Sequence, residues 1–175
     1  MNLKEFFKSC NFDISNGLIL VYGKAGVGKT TFLMELARET DGRAFILDSE
    51  NNFSIDRFKQ ICGSEVELDS LMISKPTDFD DQARIVSNVV SNDNLFDFIG
   101  VDTVGKHYRT ASKKGYKESN NEIARQMRVL KEISRNKLVV VCNQVFQNIR
   151  EDKVEPLGKN YVTKWCDVVV ELDEV

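Results

Sequence analysis

The sequence predicts an α/β domain in which a mostly parallel central sheet is flanked by helices on both faces. Short apolar runs of strand length alternate with segments whose apolar residues recur at helical spacing. This alternation is typical of parallel βαβ units. The length of 175 residues fits a single domain, because a chain of this order buries ~70% of its unfolded surface and can support one core.

The predicted elements follow one another with few long connections. The first strand, Leu18–Tyr22, is continuously apolar and is expected to be buried. The first helix carries Phe32, Leu33 and Leu36 on one face, which is the spacing that packs against a sheet. In chain order, the strands are predicted at Leu18–Tyr22, Ala44–Leu47, Leu71–Ser74, Phe96–Val101, Lys137–Cys142 and Val168–Leu172, and the helices at Thr30–Thr40, Ile55–Cys62, Asp78–Ser91 and Glu122–Ser134.

Composition indicates a cytoplasmic protein without a membrane span. The apolar fraction of 42% and the charged fraction of 29% are ordinary for a globular domain. The longest apolar runs, such as Leu138–Cys142, fall far short of the ~20 residues that a membrane span needs. The cysteines form no C-x-x-C pair, and we expect them to be reduced and mostly buried. They are Cys10, Cys62, Cys142 and Cys166.

Residues 23–30, Gly-Lys-Ala-Gly-Val-Gly-Lys-Thr, predict a phosphate-binding loop. Its three glycines allow the backbone to turn and point N–H groups at phosphate oxygens. Lys29 would reach the β and γ phosphates, and the Thr30 hydroxyl would bind Mg²⁺. A strand precedes the motif and a helix follows it, which is the context that the motif requires. The predicted cofactors are therefore ATP and Mg²⁺, held by Gly23, Lys24, Ala25, Gly26, Val27, Gly28, Lys29, Thr30 and Thr31.

Two acidic residues follow strands and are candidates for the chemistry. Asp102 ends the apolar run from Phe96 and could complete the Mg²⁺ shell opposite Thr30. Glu50 follows the second strand, where a carboxylate can polarise the water that attacks the γ phosphate. Ligands of open parallel sheets bind beyond the carboxyl ends of the strands, so both residues are expected near the phosphate-binding loop.

Further motifs give the chain a family resemblance. After Glu50 comes a Phe and then a helix start that contains Arg57, and Asp102 opens a segment that closes in Tyr108-Arg109. The predicted helix from Glu122 carries Ala-Arg-Gln at residues 124–126, and Asn-Gln-Val stands at residues 143–145. In this combination, residues 17–172 resemble the RecA/RadA recombinase family. Pro156-Leu157-Gly158 and Lys164-Trp165 look most like its archaeal RadB-type paralogues.

The resemblance implies a RecA-like fold and specific residue roles. Glu50 would be the catalytic base, Arg57 would pack on adenine, and Gln144 would sense the γ phosphate and couple it to the loop that follows. Ser54 departs from the family, which often has a second arginine there. The expected partners are single-stranded DNA and a full-length RadA/RecA-type recombinase, with a homo-oligomer as a further possibility.

The same resemblance predicts a single core domain over residues 1–175. Only 16 residues precede Gly17, so no N-terminal helical DNA-binding domain is expected. The chain stops at Val175, which predicts a shortened C-terminus. We find no clear Phe-x-x-Ala polymerisation motif near the N-terminus. The sequence therefore does not predict that the protein forms filaments.

A local basic segment is the candidate DNA contact. The chain has a net charge of −3, so nucleic acid would have to meet a local patch rather than the whole surface. The alternative interpretation is a flexible, solvated loop. A second loop, Phe146–Tyr161, carries Arg150 but also acidic residues, and could equally contact another subunit. The predicted DNA-binding residues are Lys106, Tyr108, Arg109, Lys113, Lys114 and Lys117, with no acid among them.

The sequence therefore favours a weak, DNA-dependent P-loop ATPase that takes part in or modulates homologous recombination and DNA repair. One alternative is a RecA-like nucleotide-binding adaptor that acts through protein partners with little DNA binding or turnover. Another is a KaiC-like signalling ATPase. The Tyr108-Arg109 and Ala-Arg-Gln matches favour recombination over signalling.

Overall fold

A six-stranded parallel sheet forms the centre of the molecule. In the computed structural model, which describes residues 7–8, 14–40, 42–63, 68–148 and 153–173, the strand order is β3-β2-β4-β5-β1-β8. Every neighbouring pair in this sheet is parallel, so the prediction of a mostly parallel sheet is confirmed. Its strands are β1 (Gly17–Gly23), β2 (Ala44–Asp48), β3 (Leu71–Ser74), β4 (Phe98–Asp102), β5 (Leu138–Asn143) and β8 (Val168–Leu172).

The helices and a small antiparallel hairpin complete the described chain. The hairpin joins β6 (Val145–Asn148) to β7 (Lys153–Pro156). The helices are α1 (Lys29–Arg38), α2 (Ile55–Cys62), α3 (Phe79–Ser91), α4 (Gly105–Ala111), α5 (Tyr116–Ile133) and α6 (Lys159–Val162). None of the described helices is long and apolar enough to cross a membrane.

Both faces of the sheet are covered by apolar side chains. Side chains of successive strand residues point to opposite faces, and in β1 Leu18 and Leu20 join one core while Ile19 and Val21 join the other. The first core packs under α3 and α5, and the second under α1 and α2. This two-sided burial explains why the strands read as continuous apolar runs rather than as alternating ones.

The observed elements extend the predicted ones at several points. Helix α5 starts at Tyr116, well before the predicted start at Glu122, and α4, α6 and the hairpin had no predicted counterpart. The interpretation of residues 106–117 as a loop is wrong for most of its length. Residues 106–111 belong to α4, residues 116–117 begin α5, and a short turn joins the two helices.

The sheet order gathers four strand ends at one edge. Strands β2, β4, β5 and β1 are consecutive neighbours, although each pair is separated in sequence by helices. Registers such as Asp48 opposite Asp102 and Tyr22 opposite Asn143 align their carboxyl ends. The residues that follow these four strands therefore meet in one cleft.

Candidate nucleotide-binding site

The loop between β1 and α1 has the backbone of a phosphate cradle. Gly26 and Gly28 have φ of 87° and 94°, a left-handed conformation that side chains with a Cβ rarely adopt. Helix α1 begins at Lys29 without a side-chain cap, so its first N–H groups stay open to an anion. The Lys29 ammonium donates to the carbonyls of Gly23 at 2.9 Å and Lys24 at 2.6 Å, which holds it over the loop.

Thr30 and Asp102 form an oxygen pair at the mouth of this cradle. The Thr30 hydroxyl donates to Asp102 Oδ2 at 2.5 Å across 72 residues of sequence. Burial raises the pKa of the Asp102 carboxyl, the Thr30 hydrogen bond opposes this, and the charges of Glu50 and Asp48 raise it further. A desolvated carboxylate beside other carboxylates favours a bound cation, and carboxylate and hydroxyl oxygens suit Mg²⁺. The residues present fit that ion.

The candidate catalytic carboxylate, Glu50, lines the same cleft and lies in a hydrogen-bonded turn. The buried Asp48 carboxylate accepts from the N–H groups of Asn52 and Phe53, each at 3.1 Å, which closes the turn that carries Glu50. The Gln144 side chain donates from Nε2 to Glu50 Oε1. The second Glu50 oxygen accepts from Asn52 Nδ2 at 3.4 Å. The strand ends of β2 and β5 thus bring the two predicted catalytic residues into contact.

Arg57 lies at the other end of the cleft. Its guanidinium donates to the Thr31 hydroxyl at 2.8 Å and so joins α2 to the first turn of α1. Ser54, the residue that departs from the family pattern, caps α2 by accepting from the Arg57 N–H at 3.3 Å. Ser54 therefore stabilises the start of α2. Arg57 lies beside the phosphate cradle.

A cleft of about 490 Å³ joins these residues. Pockets of ~300–1,000 Å³ accommodate small ligands and cofactors. Predicted residues from four separate segments contribute to it, together with Asn52, Thr103 and Val145, which had not been predicted. Each of the three is within two positions of a predicted residue, and that adjacency was the signal available in the sequence. The cleft is lined by Gly23, Ala25, Gly26, Gly28, Lys29, Thr30, Thr31, Glu50, Asn52, Arg57, Asp102, Thr103, Arg109, Gln144 and Val145.

The basic segment divides into an inner and an outer part. Lys106 is half-buried and its ammonium donates to the Ser49 carbonyl. Tyr108 is 3% exposed, and its hydroxyl donates to Asn120 Oδ1 at 2.6 Å. Both side chains are therefore engaged inside the protein.

The outer part remains available to solvent. Lys113, Lys114 and Lys117 are exposed around the turn between α4 and α5, and the Tyr116 ring among them is 65% exposed. Arg109 is also exposed but lines the nucleotide cleft. The six predicted DNA-binding residues are thus distributed over the interior, the cleft and an outer basic turn.

Two sequence predictions lie partly outside the described residues. In the second loop, Arg150 falls within residues 149–152, and Cys10 falls within residues 9–13. The other three cysteines are free thiols, but only Cys142 among them is buried, while Cys62 and Cys166 are half-buried, so the expectation of mostly buried cysteines is wrong for the described residues. Burial raises the pKa of Cys166 to about 12 and raises that of Cys142 as well. Within the described ranges, no group of three or more His, Cys, Asp or Glu side chains is placed to bind a metal ion by itself.

The parallel sheet, the glycine-rich cradle, and Glu50 and Asp102 in the same cleft define a P-loop nucleotide-binding domain of the RecA class. A family model described as an AAA domain matches residues 15–175. The DNA repair and recombination proteins RadB of Pyrococcus abyssi and Pyrococcus horikoshii are 33% and 31% identical over 84% and 82% of this chain. The chain belongs to the AAA domain family and is a RadB-type member of the RecA class.

Further matches agree over most of the chain. The RadB protein of Pyrococcus furiosus is 31% identical over 86% of this chain and 71% of its own length. The crystal structure of the RadB recombinase matches with a TM-score of 0.81 at 26% identity, over 98% of this chain and 81% of that chain. The chain spans 66% and 64% of the P. abyssi and P. horikoshii proteins, about two thirds of their length.

Proposed function

We propose that this domain binds ATP with Mg²⁺, hydrolyses it slowly, binds single-stranded DNA, and takes part in or modulates homologous recombination and DNA repair. The observation that carries the proposal is that two groups of residues line one cleft. Lys29, Thr30 and Asp102 form what we call the binding side, and the hydrogen-bonded pair of Glu50 and Gln144 forms what we call the reacting side. The γ phosphate would lie between a binding side and a reacting side.

Each residue has a distinct task in the proposed reaction. The N–H groups at the start of α1 and the Lys29 ammonium bind the phosphates. Thr30 and Asp102 would hold Mg²⁺, which when bound neutralises charge on the β and γ phosphate oxygens. Glu50 orients the attacking water and takes its proton. Gln144 holds the Glu50 carboxylate, and β6 begins at the next residue, so a change at Gln144 reaches the hairpin directly.

The hairpin is tied back to the same strand end. Asn143 Nδ2 donates to the Leu157 carbonyl at 2.7 Å, and the Leu157 N–H donates to the Gln144 carbonyl at 2.8 Å. Both ends of the hairpin are thus held beside the residue that bonds Glu50. This arrangement supports the proposal that the state of the nucleotide is communicated to the second loop.

We assign the main DNA contact to the outer basic turn of Lys113, Lys114 and Lys117. These ammonium groups can neutralise phosphates, and the exposed Tyr116 ring can stack on a base. Tyr116 is a better candidate for stacking than Tyr108, because the Tyr108 ring is buried. Proposed partners are single-stranded DNA, a full-length RadA/RecA-type recombinase in the cytoplasm, and a second copy of the chain.

The test is an ATPase assay with and without single-stranded DNA, at several protein concentrations. We expect slow turnover that DNA stimulates and that rises with protein concentration, because relatives of this class complete the site with a neighbouring subunit. Absence of turnover with intact ATP binding would instead support the nucleotide-binding adaptor. Fast turnover independent of concentration would contradict the proposed need for a second copy.

A further inference from the structure

Two glutamines are fully buried between helices α3 and α5. Gln82 and Gln126 are each 0% exposed, beside a core made of Val, Ile, Leu and Met. Burying a side-chain amide is costly unless its polar atoms form hydrogen bonds. The Ala-Arg-Gln motif did not predict that the Gln126 side chain is buried, and no sequence motif had singled out Gln82. Their role therefore depends on what they contact.

The two amides form a continuous hydrogen-bonded chain. The Ser49 hydroxyl donates to Gln82 Oε1 at 3.3 Å. Gln82 Nε2 donates to Gln126 Oε1 at 2.9 Å and to the Val104 carbonyl at 3.3 Å. Gln126 Nε2 donates to Glu122 Oε1 at 3.1 Å. The chain connects the turn after β2 to the outer surface of α5.

The Glu122 carboxylate, at the outer end, sets the donor-to-acceptor direction of this series of hydrogen bonds. An ionised carboxylate only accepts hydrogen bonds, so it turns the Gln126 NH₂ group outward and the Gln126 carbonyl toward Gln82. Gln82 then presents its own carbonyl to Ser49. Glu122 is itself fixed by Arg125, whose Nε and Nη2 donate to its two oxygens at 2.9 and 2.8 Å. Bonds in such a buried chain strengthen one another.

At the inner end, Ser49 is held at three points and is the residue before Glu50. Its N–H donates to the Asp102 carbonyl at 2.7 Å, and its carbonyl accepts from the Lys106 ammonium. Its hydroxyl is the group that bonds Gln82. Ser49 is 3% exposed, so solvent cannot easily replace any of these bonds. The backbone that carries Glu50 is thereby fixed in place from the core.

We propose that Gln82, backed by Gln126, is a positioning residue for the candidate catalytic carboxylate of Glu50. This inference rests on the proposed function, in which Glu50 acts on the attacking water. Gln82 touches neither the cleft lining nor the cradle; it acts through Ser49. Groups that orient a reacting side chain typically contribute ~10- to 100-fold in rate, because small misplacements are costly.

The test compares Gln82→Leu with Ser49→Ala and with a control on the same helix. Ser91→Ala is the matched control, because the exposed Ser91 hydroxyl at the end of the same helix donates to the Ser87 carbonyl at 3.0 Å and has no place in the chain from Glu122 to Ser49. Ser49→Ala removes the same bond from the other side and serves if Gln82→Leu fails to fold. Urea unfolding measures how much global stability each variant loses.

Two local readouts then separate positioning from simple structural support. The first is hydrogen exchange of the Ser49 amide by NMR, which we expect to accelerate about fivefold or more in Gln82→Leu and Ser49→Ala, on the scale of one lost hydrogen bond. The second is the split between turnover and binding, in which kcat falls ~10- to 100-fold while ATP affinity stays within about twofold. The double variant should be no slower than the worse single one, because both remove one interaction.

Each outcome bears on one claim or the other. If Ser49 exchange and kcat in Gln82→Leu match those in Ser91→Ala, the positioning role is overturned. A fall in kcat without faster Ser49 exchange overturns it as well, since the effect would then not travel through Ser49. If the parent protein turns over no ATP, the proposed function fails, and the exchange measurement alone still decides whether Gln82 fixes the turn before Glu50.

Discussion

The two sides of the nucleotide cleft are built in different ways. The binding side comes mostly from one segment, because its backbone donors, Lys29, Thr30 and Thr31 all belong to the loop after β1 and the start of α1. Asp102, at the end of β4, is the one member of this side from elsewhere in the sequence. The reacting side is assembled from two separate strand ends, those of β2 and β5, which supply Glu50 and Gln144.

This difference separates affinity from turnover. A contiguous loop needs only its own turn geometry and the following helix to present donors to an anion. The reacting side needs the sheet order, the Asp48 turn and the buried bonds of Ser49 to place one carboxylate. Changes on the binding side should therefore abolish nucleotide binding, whereas changes on the reacting side should leave binding intact.

The largest effect should come from the binding side. Lys29→Ala should weaken ATP affinity by about 10³-fold or more, since two charge-assisted phosphate contacts are each worth ~2 kcal/mol. Isothermal titration with ATP and Mg²⁺ measures this. Lys59→Ala is the control, because Lys59 is an exposed cation on α2 that is not among the residues lining the cleft. ATP affinity within twofold of the parent in Lys29→Ala would contradict the cradle.

The next largest effect should come from the reacting side, where Glu50→Gln should lower turnover without weakening ATP binding. Loss of the base should lower turnover by ~10²-fold or more, while the neutral amide still offers Gln144 an acceptor and ATP affinity persists. Single-turnover hydrolysis and ATP titration measure the two quantities independently. Asp56→Asn, an exposed acid in the first turn of α2, is the control and should match the parent. A parallel loss of ATP affinity in Glu50→Gln would place Glu50 on the binding side.

The outer basic turn lies outside both sides of the cleft. Replacing Lys113, Lys114 and Lys117 with alanine should flatten the salt dependence of single-strand binding by about two units in log K against log salt, since each contact contributes ~0.7. ATP affinity should not change, because none of the three lines the cleft.

Fluorescence anisotropy of a labelled oligonucleotide over a salt series measures this slope. The control replaces Arg128 and Arg135, exposed residues farther along α5 and beyond it, with alanine. An equal flattening in the control would show diffuse attraction rather than a site. An unchanged slope in the lysine variant would move the DNA contact to the second loop.

The smallest effect should come from Arg109. The sequence predicted that this residue contacts DNA, whereas in the structure it lines the nucleotide cleft. Arg109→Ala should weaken ATP affinity by about three- to tenfold, since the group is one exposed cation whose attraction is partly screened by salt. The control is Arg128→Ala. If Arg109→Ala instead keeps ATP affinity and flattens the DNA salt slope by ~0.7, Arg109 belongs to the DNA surface as first predicted.

Local patterns predicted much of the fold correctly. Helix α2 and strands β3 and β8 have the predicted bounds, because their ends coincide with polar caps and turns. Helix α4 was missed because Gly105–Ala111 is short and shows no apolar periodicity. The early start of α5 was missed because its first turn, from Tyr116, is mostly polar and exposed.

Local sequence was sufficient to predict the phosphate cradle and the acids at strand ends that accompany it. Those features depend on residue types at fixed spacing within a strand, a tight turn and a helix start, which are local in the chain. Three other features emerge only in the folded chain: Glu50 contacts Gln144, Arg109 lines the cleft while Tyr108 is buried, and Gln82 and Gln126 connect to Ser49. The reason is that these contacts join residues far apart in sequence, so they depend on strand order and on how α3, α4 and α5 pack against the sheet.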